Sequence, residues 1–193
     1  MGASGMNRNT SNKNRTKEKY LSDKQTDIST IDTNKMDDEA FINKMLEKHS
    51  FLREKHGCKK NSLKLNKELC KKAQEYILKL IDKNQKFPYS GLYKDDILGE
   101  NVLISNSKLD PEDVCHKWYE EKENYNYDSN KFQKGKGHFT QLVWKKTNEV
   151  GFGFVGDNNK YYYVALYYPK GNILNEFKEN VLKEKEAENN LKS

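Results

Sequence analysis

The chain has 193 residues, 34% hydrophobic and 33% charged, with a formal net charge of +6. That length suits one domain with extensions, and the low apolar share confines the core to part of the sequence. No stretch approaches the roughly 18 apolar residues of a membrane span, and Met1 to Tyr20 lacks the apolar segment of a signal peptide. Three cysteines, Cys58, Cys70 and Cys115, are too few and too irregularly spaced for a disulfide framework. Free, buried thiols in a reducing compartment are expected, with a Cys58–Cys70 bridge as the alternative.

Residues 7–35 are rich in Asn, Lys, Thr, Ser and Asp without hydrophobic periodicity, and such a segment cannot bury enough surface to offset chain entropy. Residues 1–38 are therefore read as a disordered polar arm. Arg8, Lys13, Arg15, Lys17 and Lys19 stand in it against Glu18, either as a basic arm for acidic lipid or as a solvated tail. A first helix is predicted from a cap at Asp37 or Asp38. Phe41, Ile42, Met45, Leu46, His49 and Leu52 follow at helical spacing, and Gly57 ends the helix. His49 then lies on an apolar stripe as a hydrogen-bonded core residue, and His56 closes the helix where a cation suits the dipole.

Asn66 can cap a second helix that carries Leu69, Ala73, Tyr76, Ile77 and Leu80 on one stripe. Residues 82–96, with Pro88 and Gly91, read as a loop. Asp110-Pro111-Glu112-Asp113 is a helix start with a capping acid, Pro at the first helical position and acids at the positive dipole end. Val114, Trp118 and Glu121 follow at i, i+4 and i+7, and His116 is expected on the exposed face. Val150 to Val155 and Tyr161 to Tyr168 read as strands around the turn Gly156-Asp157-Asn158-Asn159. Helices followed by a hairpin predict an α+β domain over 39–182, with a charged tail over 183–193.

Five elements in order resemble the CAP superfamily, which comprises cysteine-rich secretory, antigen 5 and pathogenesis-related proteins. They are the first helix with His49, Arg53 and Lys55-His56-Gly57; Gly99-Glu100-Asn101; Trp118-Tyr119-Glu120-Glu121; Gly137-His138-Phe139-Thr140-Gln141-Leu142-Val143-Trp144; and Tyr167-Tyr168-Pro169-Lys170-Gly171-Asn172. The ending Gly171 to Phe177 is most similar to the Golgi-associated plant pathogenesis-related subgroup, which is intracellular and membrane-peripheral. The resemblance implies an α-β-α sandwich with a central antiparallel sheet between helical layers. It also implies a cleft where two His and two Glu meet, of which Glu100, Glu121 and His138 carry over. The other His belongs upstream of Glu100, where residues 83–90 hold none and Phe87 stands at or near its place. Without it, His138, Glu100 and Glu121 are candidates for at most a weakly bound divalent metal such as zinc.

The same three residues also suit a buried hydrogen-bonded network that fixes the loops. No Ser or Cys nucleophile motif accompanies them, and no catalytic residue is assigned. Most of the tyrosines in 161–168 are expected in the core of a central strand, and no basic motif interleaves with them as a nucleic-acid surface would need. The expected function is a non-enzymatic lipid-binding or interaction module. It would be intracellular and peripheral to Golgi-like membranes, with an anionic lipid surface as partner and a homodimer as a further association. The alternatives are a metal-assisted hydrolase using Glu100, Glu121 and His138, and a secreted immune-modulating protein if a signal sequence precedes the chain.

Overall fold

The computed structural model describes residues 39–82, 97–157 and 159–185, all within one compact unit spanning Met36–Ser193. The arm assigned to 1–38 and the loop containing Phe87 lie outside the described residues. Helix α1 (Glu39–Lys55) leads into a two-residue strand β1 (Lys64–Leu65) and helix α2 (Lys67–Asp82). Asn66 caps α2 as its side chain predicts: Oδ1 accepts from the amides of Glu68 (2.9 Å) and Leu69 (3.2 Å).

Strand β2 (Gly99–Ser105) precedes α3 (Pro111–Tyr119), where Asp110 accepts from the Asp113 amide at 2.9 Å. A 3-10 turn (Glu120–Lys122), the short α4 (Gly137–Leu142), strands β3 (Glu149–Asp157) and β4 (Lys160–Tyr168), and α5 (Phe177–Asn180) complete the order. The strands lie in the order β1-β3-β4-β2. β2, β4 and β3 are antiparallel, and β1 joins the β3 edge in parallel.

β4 explains the layering. On one face Tyr163, Ala165 and Tyr167 join Phe41 and Met45 of α1, Trp118 of α3 and Phe139 of α4. On the other, Val164 and Leu166 meet the α2 stripe of Leu69, Ala73, Tyr76, Ile77 and Leu80. The period-2 alternation of the strand thus feeds two helical layers, which is the α-β-α sandwich. α2 lies so close to β3 that a Cβ at Gly151 would come within 2.3 Å of the Cys70 backbone nitrogen.

Two features go beyond the sequence reading and one expectation needs correction. Gly99-Glu100-Asn101 opens a strand, which short polar-flanked periodicity did not reveal. Within the stretch read as a charged tail, the Lys185 amide donates to the Lys55 carbonyl at 2.8 Å, and Glu184 binds the Tyr119 hydroxyl and Lys122. His56 is not a solvated cation at the helix end. It is fully buried, with Nδ1 2.6 Å from the Leu182 carbonyl and Nε2 2.8 Å from the Tyr119 hydroxyl. Burial pushes its pKa down, because desolvation disfavours the charged form.

All three thiols are free. Burial pushes the pKa of each of them up.

Candidate functional site

The site is assembled at α4, whose first amides, as in any α-helix, have no partner within the helix. The residue before it, Lys136, offers no side-chain cap. Glu121, in the 3-10 turn that follows α3, supplies one from 17 residues upstream. Its Oε2 accepts from the amides of His138 (2.8 Å) and Phe139 (3.2 Å). Its Oε1 accepts from His138 Nδ1–H at 2.7 Å. A carboxylate only accepts, so this bond places the ring proton of His138 on Nδ1. The Glu121 and His138 side chains are 22% and 18% exposed, which leaves the pair at the surface end of the core. The acid expected in helical line with Trp118 thus stands one turn beyond the α-helix proper.

Behind this pair runs a second network. Asn101 Nδ2 donates to the His138 carbonyl (3.0 Å) and to the Tyr167 hydroxyl (3.1 Å). The Tyr167 hydroxyl meets His49 Nε2 at 3.0 Å, and His49 Nδ1–H donates to the Met45 carbonyl at 2.8 Å. The Nδ1 side faces a carbonyl, so Nε2 accepts and Tyr167 donates. Burial holds the His49 pKa down at about 3, so the imidazole is neutral. One asparagine therefore ties β2, β4, α1 and α4 together. His49 is the packed core residue that its stripe predicts.

Two further clamps fix the chain around α4. Gln141 Oε1 accepts from the Gly171 amide at 2.7 Å, and Gly99 lies so near that a Cβ there would sit 2.0 Å from the same oxygen. The buried Arg53 guanidinium donates to the carbonyls of Leu142, Trp144 and Thr147 at 3.0, 2.9 and 2.7 Å. Sequence reasoning quoted Asn101, Gln141 and Asn172 inside motifs without giving them roles. Asn172 accepts from Thr140 Oγ1 at 2.5 Å and donates to the Gly137 carbonyl at 3.0 Å. A buried amide in a stretch of apolar residues was the available signal, because it must find partners.

Of the three residues carried over from the resemblance, the structure joins Glu121 to His138 directly. Glu100 stands between Gly99, against Gln141, and Asn101, against His138, on the first turn of β2 pairing, opposite Leu166. Among the described residues no group of three His, Cys, Asp or Glu side chains is placed to hold a metal ion. Glu121 spends both oxygens on α4 and the imidazole.

A sandwich of this topology, with a Glu-clamped His at the head of α4, defines the class. The chain belongs to the CAP, or Cysteine-rich secretory protein, family, whose sequence model matches residues 46–168. It is 37% identical over 145 residues to human (Homo sapiens) Golgi-associated plant pathogenesis-related protein 1, an alignment covering 74% of this chain and 92% of that protein. It is 32% identical to GLIPR1-like protein 1 of Mus musculus, covering 71% of this chain and 63% of the relative. Among solved structures, venom allergen-like protein 4 of Schistosoma mansoni superposes with a TM-score of 0.56 at 23% identity, covering 76% of this chain and 96% of that one. That likeness establishes the fold.

Proposed function

We propose that this protein is a non-enzymatic CAP-domain module that binds anionic lipid at the surface of an internal, Golgi-like membrane. The observation that carries the reading is the 37% identity to a protein named as Golgi-associated, across 92% of that relative's length. The net charge of +6 favours an anionic partner. No helix among the described residues is long and apolar enough to cross a membrane, and the attachment proposed is peripheral.

Glu121 is not placed to act as a general base. A general base needs a carboxylate or imidazole within reach of a water and at liberty to move its proton. Glu121 instead accepts three hydrogen bonds from α4. The free thiols have pKa values raised by burial, which keeps them protonated and unreactive. Co-sedimentation of the whole chain with phosphatidylcholine vesicles, with and without phosphatidylserine, tests the reading. Binding is expected only to the anionic vesicles, and it should be lost at high salt because the Debye length is about 10 Å at 0.1 M. Equal binding to both vesicle types would overturn it.

A further inference from the structure

We propose that the edge built from residues 129–136 and 172–178 is the surface that seats this protein on an anionic bilayer, with Phe132 and Leu174 entering the headgroup region. The proposal rests on the lipid-binding reading above and names its surface. At 54% and 64%, Phe132 and Leu174 are the most exposed large hydrophobic side chains among the described residues. They stand on two segments that are fastened together. Asn130 Nδ2 donates to the Asn175 carbonyl at 2.6 Å, and Asn130 Oδ1 accepts from the Lys178 amide at 3.1 Å. The Phe132 ring lies 6.3 Å from that of Phe177, whose own side chain is buried. The two apolar side chains are thus held out at one edge by a fixed scaffold.

The charge on the first of these segments has one sign. Residues 129–148 contain five lysines and no carboxylate. Lys131, Lys134 and Lys178 are exposed and form no ion pair with any described residue. The carboxylates that follow, Glu176 and Glu179, both pair with Lys146, which leaves that trio one negative charge, and Asp128 stands one residue outside the loop. Apolar side chains framed by unpaired lysines fit an interface where hydrocarbon lies under anionic headgroups. The other exposed aromatic, Phe51, does not fit. Lysines 48 and 55 lie over its ring, and the groove of about 470 Å³ beside it carries charge of both signs, from Glu47 and Glu54 and from Lys60 and Lys64. The proposed edge also borders the candidate site, since a Cβ at Gly137, next to His138, would lie 3.4 Å from the Phe132 ring.

The test uses the full chain and vesicles of phosphatidylcholine with 30% phosphatidylserine (a chosen composition, about the anionic fraction of a charged leaflet). Phe132→Ser and Leu174→Ser should each weaken partitioning about tenfold, the scale of burying roughly half an apolar side chain. Lys131→Glu with Lys134→Glu should weaken it more than twentyfold, at about fivefold per charge removed and more on reversal. Phe51→Ser should leave it unchanged, and all variants should keep the wild-type melting temperature, because these side chains pack little. Phe132→Trp adds an indole at the edge, and its emission should shift to the blue on anionic vesicles alone. Wild-type binding that survives the Phe132, Leu174 and lysine changes overturns this surface and leaves the lipid reading standing. Wild type that binds neither vesicle type overturns both. A blue shift that grows with protein concentration without vesicles assigns the edge to a second copy of the chain, and overturns the proposal.

Discussion

Replacing Glu121 by alanine removes one carboxylate and leaves three donors behind: His138 Nδ1–H and the amides of His138 and Phe139, now bonded at 2.7, 2.8 and 3.2 Å. A hydrogen bond to a charged group contributes about 1.5–3 kcal/mol. The Glu121 side chain is 22% exposed, so water takes over part of the bonding, and a loss of about 3 kcal/mol is expected rather than the full sum. In a domain of this size that lowers Tm by about 6–12 °C. Glu121→Gln is the sharper test. Its carbonyl oxygen can accept from both amides, which turns its NH2 toward His138 Nδ1. The ring must then give up the Nδ1 proton and become the Nε2–H tautomer, at a cost of about 1 kcal/mol. Nitrogen-15 shifts of the His138 ring read the tautomer directly, and thermal melts read the stability. A glutamine variant that melts as low as the alanine variant, or a ring that keeps Nδ1–H in it, would refute the clamp.

The remaining predictions follow from burial and close packing. His49, held down at about 3 by burial against 6.5 when unfolded, refuses a proton that the unfolded chain accepts. Its contribution is therefore fully present above pH 6.5 and is lost as pH falls, at about 1.4 kcal/mol per unit. Urea unfolding at pH 7 and pH 5 should differ by about 2 kcal/mol from this group, with His56 adding in the same direction, and His49→Gln should flatten the slope. An unchanged slope in that variant would place the pH dependence elsewhere. Gly151→Ala puts a Cβ 2.3 Å from the Cys70 nitrogen and should cost about 2–3 kcal/mol in urea unfolding, because helix and strand backbones must part. A loss below about 0.5 kcal/mol would mean that α2 can slide off β3 freely.

What the sequence revealed follows from where the signal is local. The α2 cap at Asn66, the Asp110-Pro111 start of α3 and the β3–β4 hairpin each depend on neighbouring residues, and each stands where the spacing predicts. β2 was missed because Gly99 to Ser105 alternates weakly: its identity as a strand comes from pairing with Tyr161 to Tyr167, residues about 60 positions away. His56 was misread for the same reason. The residues that bury it, Tyr119, Phe139 and Leu182, arrive from distant elements, and helix-end electrostatics ceases to decide once the ring leaves water. For the site, resemblance singled out Glu121 and His138, but their bond to each other and the Asn101–Tyr167–His49 network are tertiary facts.

The clamp also bears on what holds α4 in place. A six-residue helix has no length to hold itself, and α4 stands because Glu121 caps it from below, Asn101 holds its His138 carbonyl, and Gln141 and Asn172 anchor it to the loop after β4. Every one of those partners is present here. These bonds keep a shaped edge around α4, and the Phe132 ring stands beside its first residue, 3.4 Å from where a Cβ at Gly137 would lie.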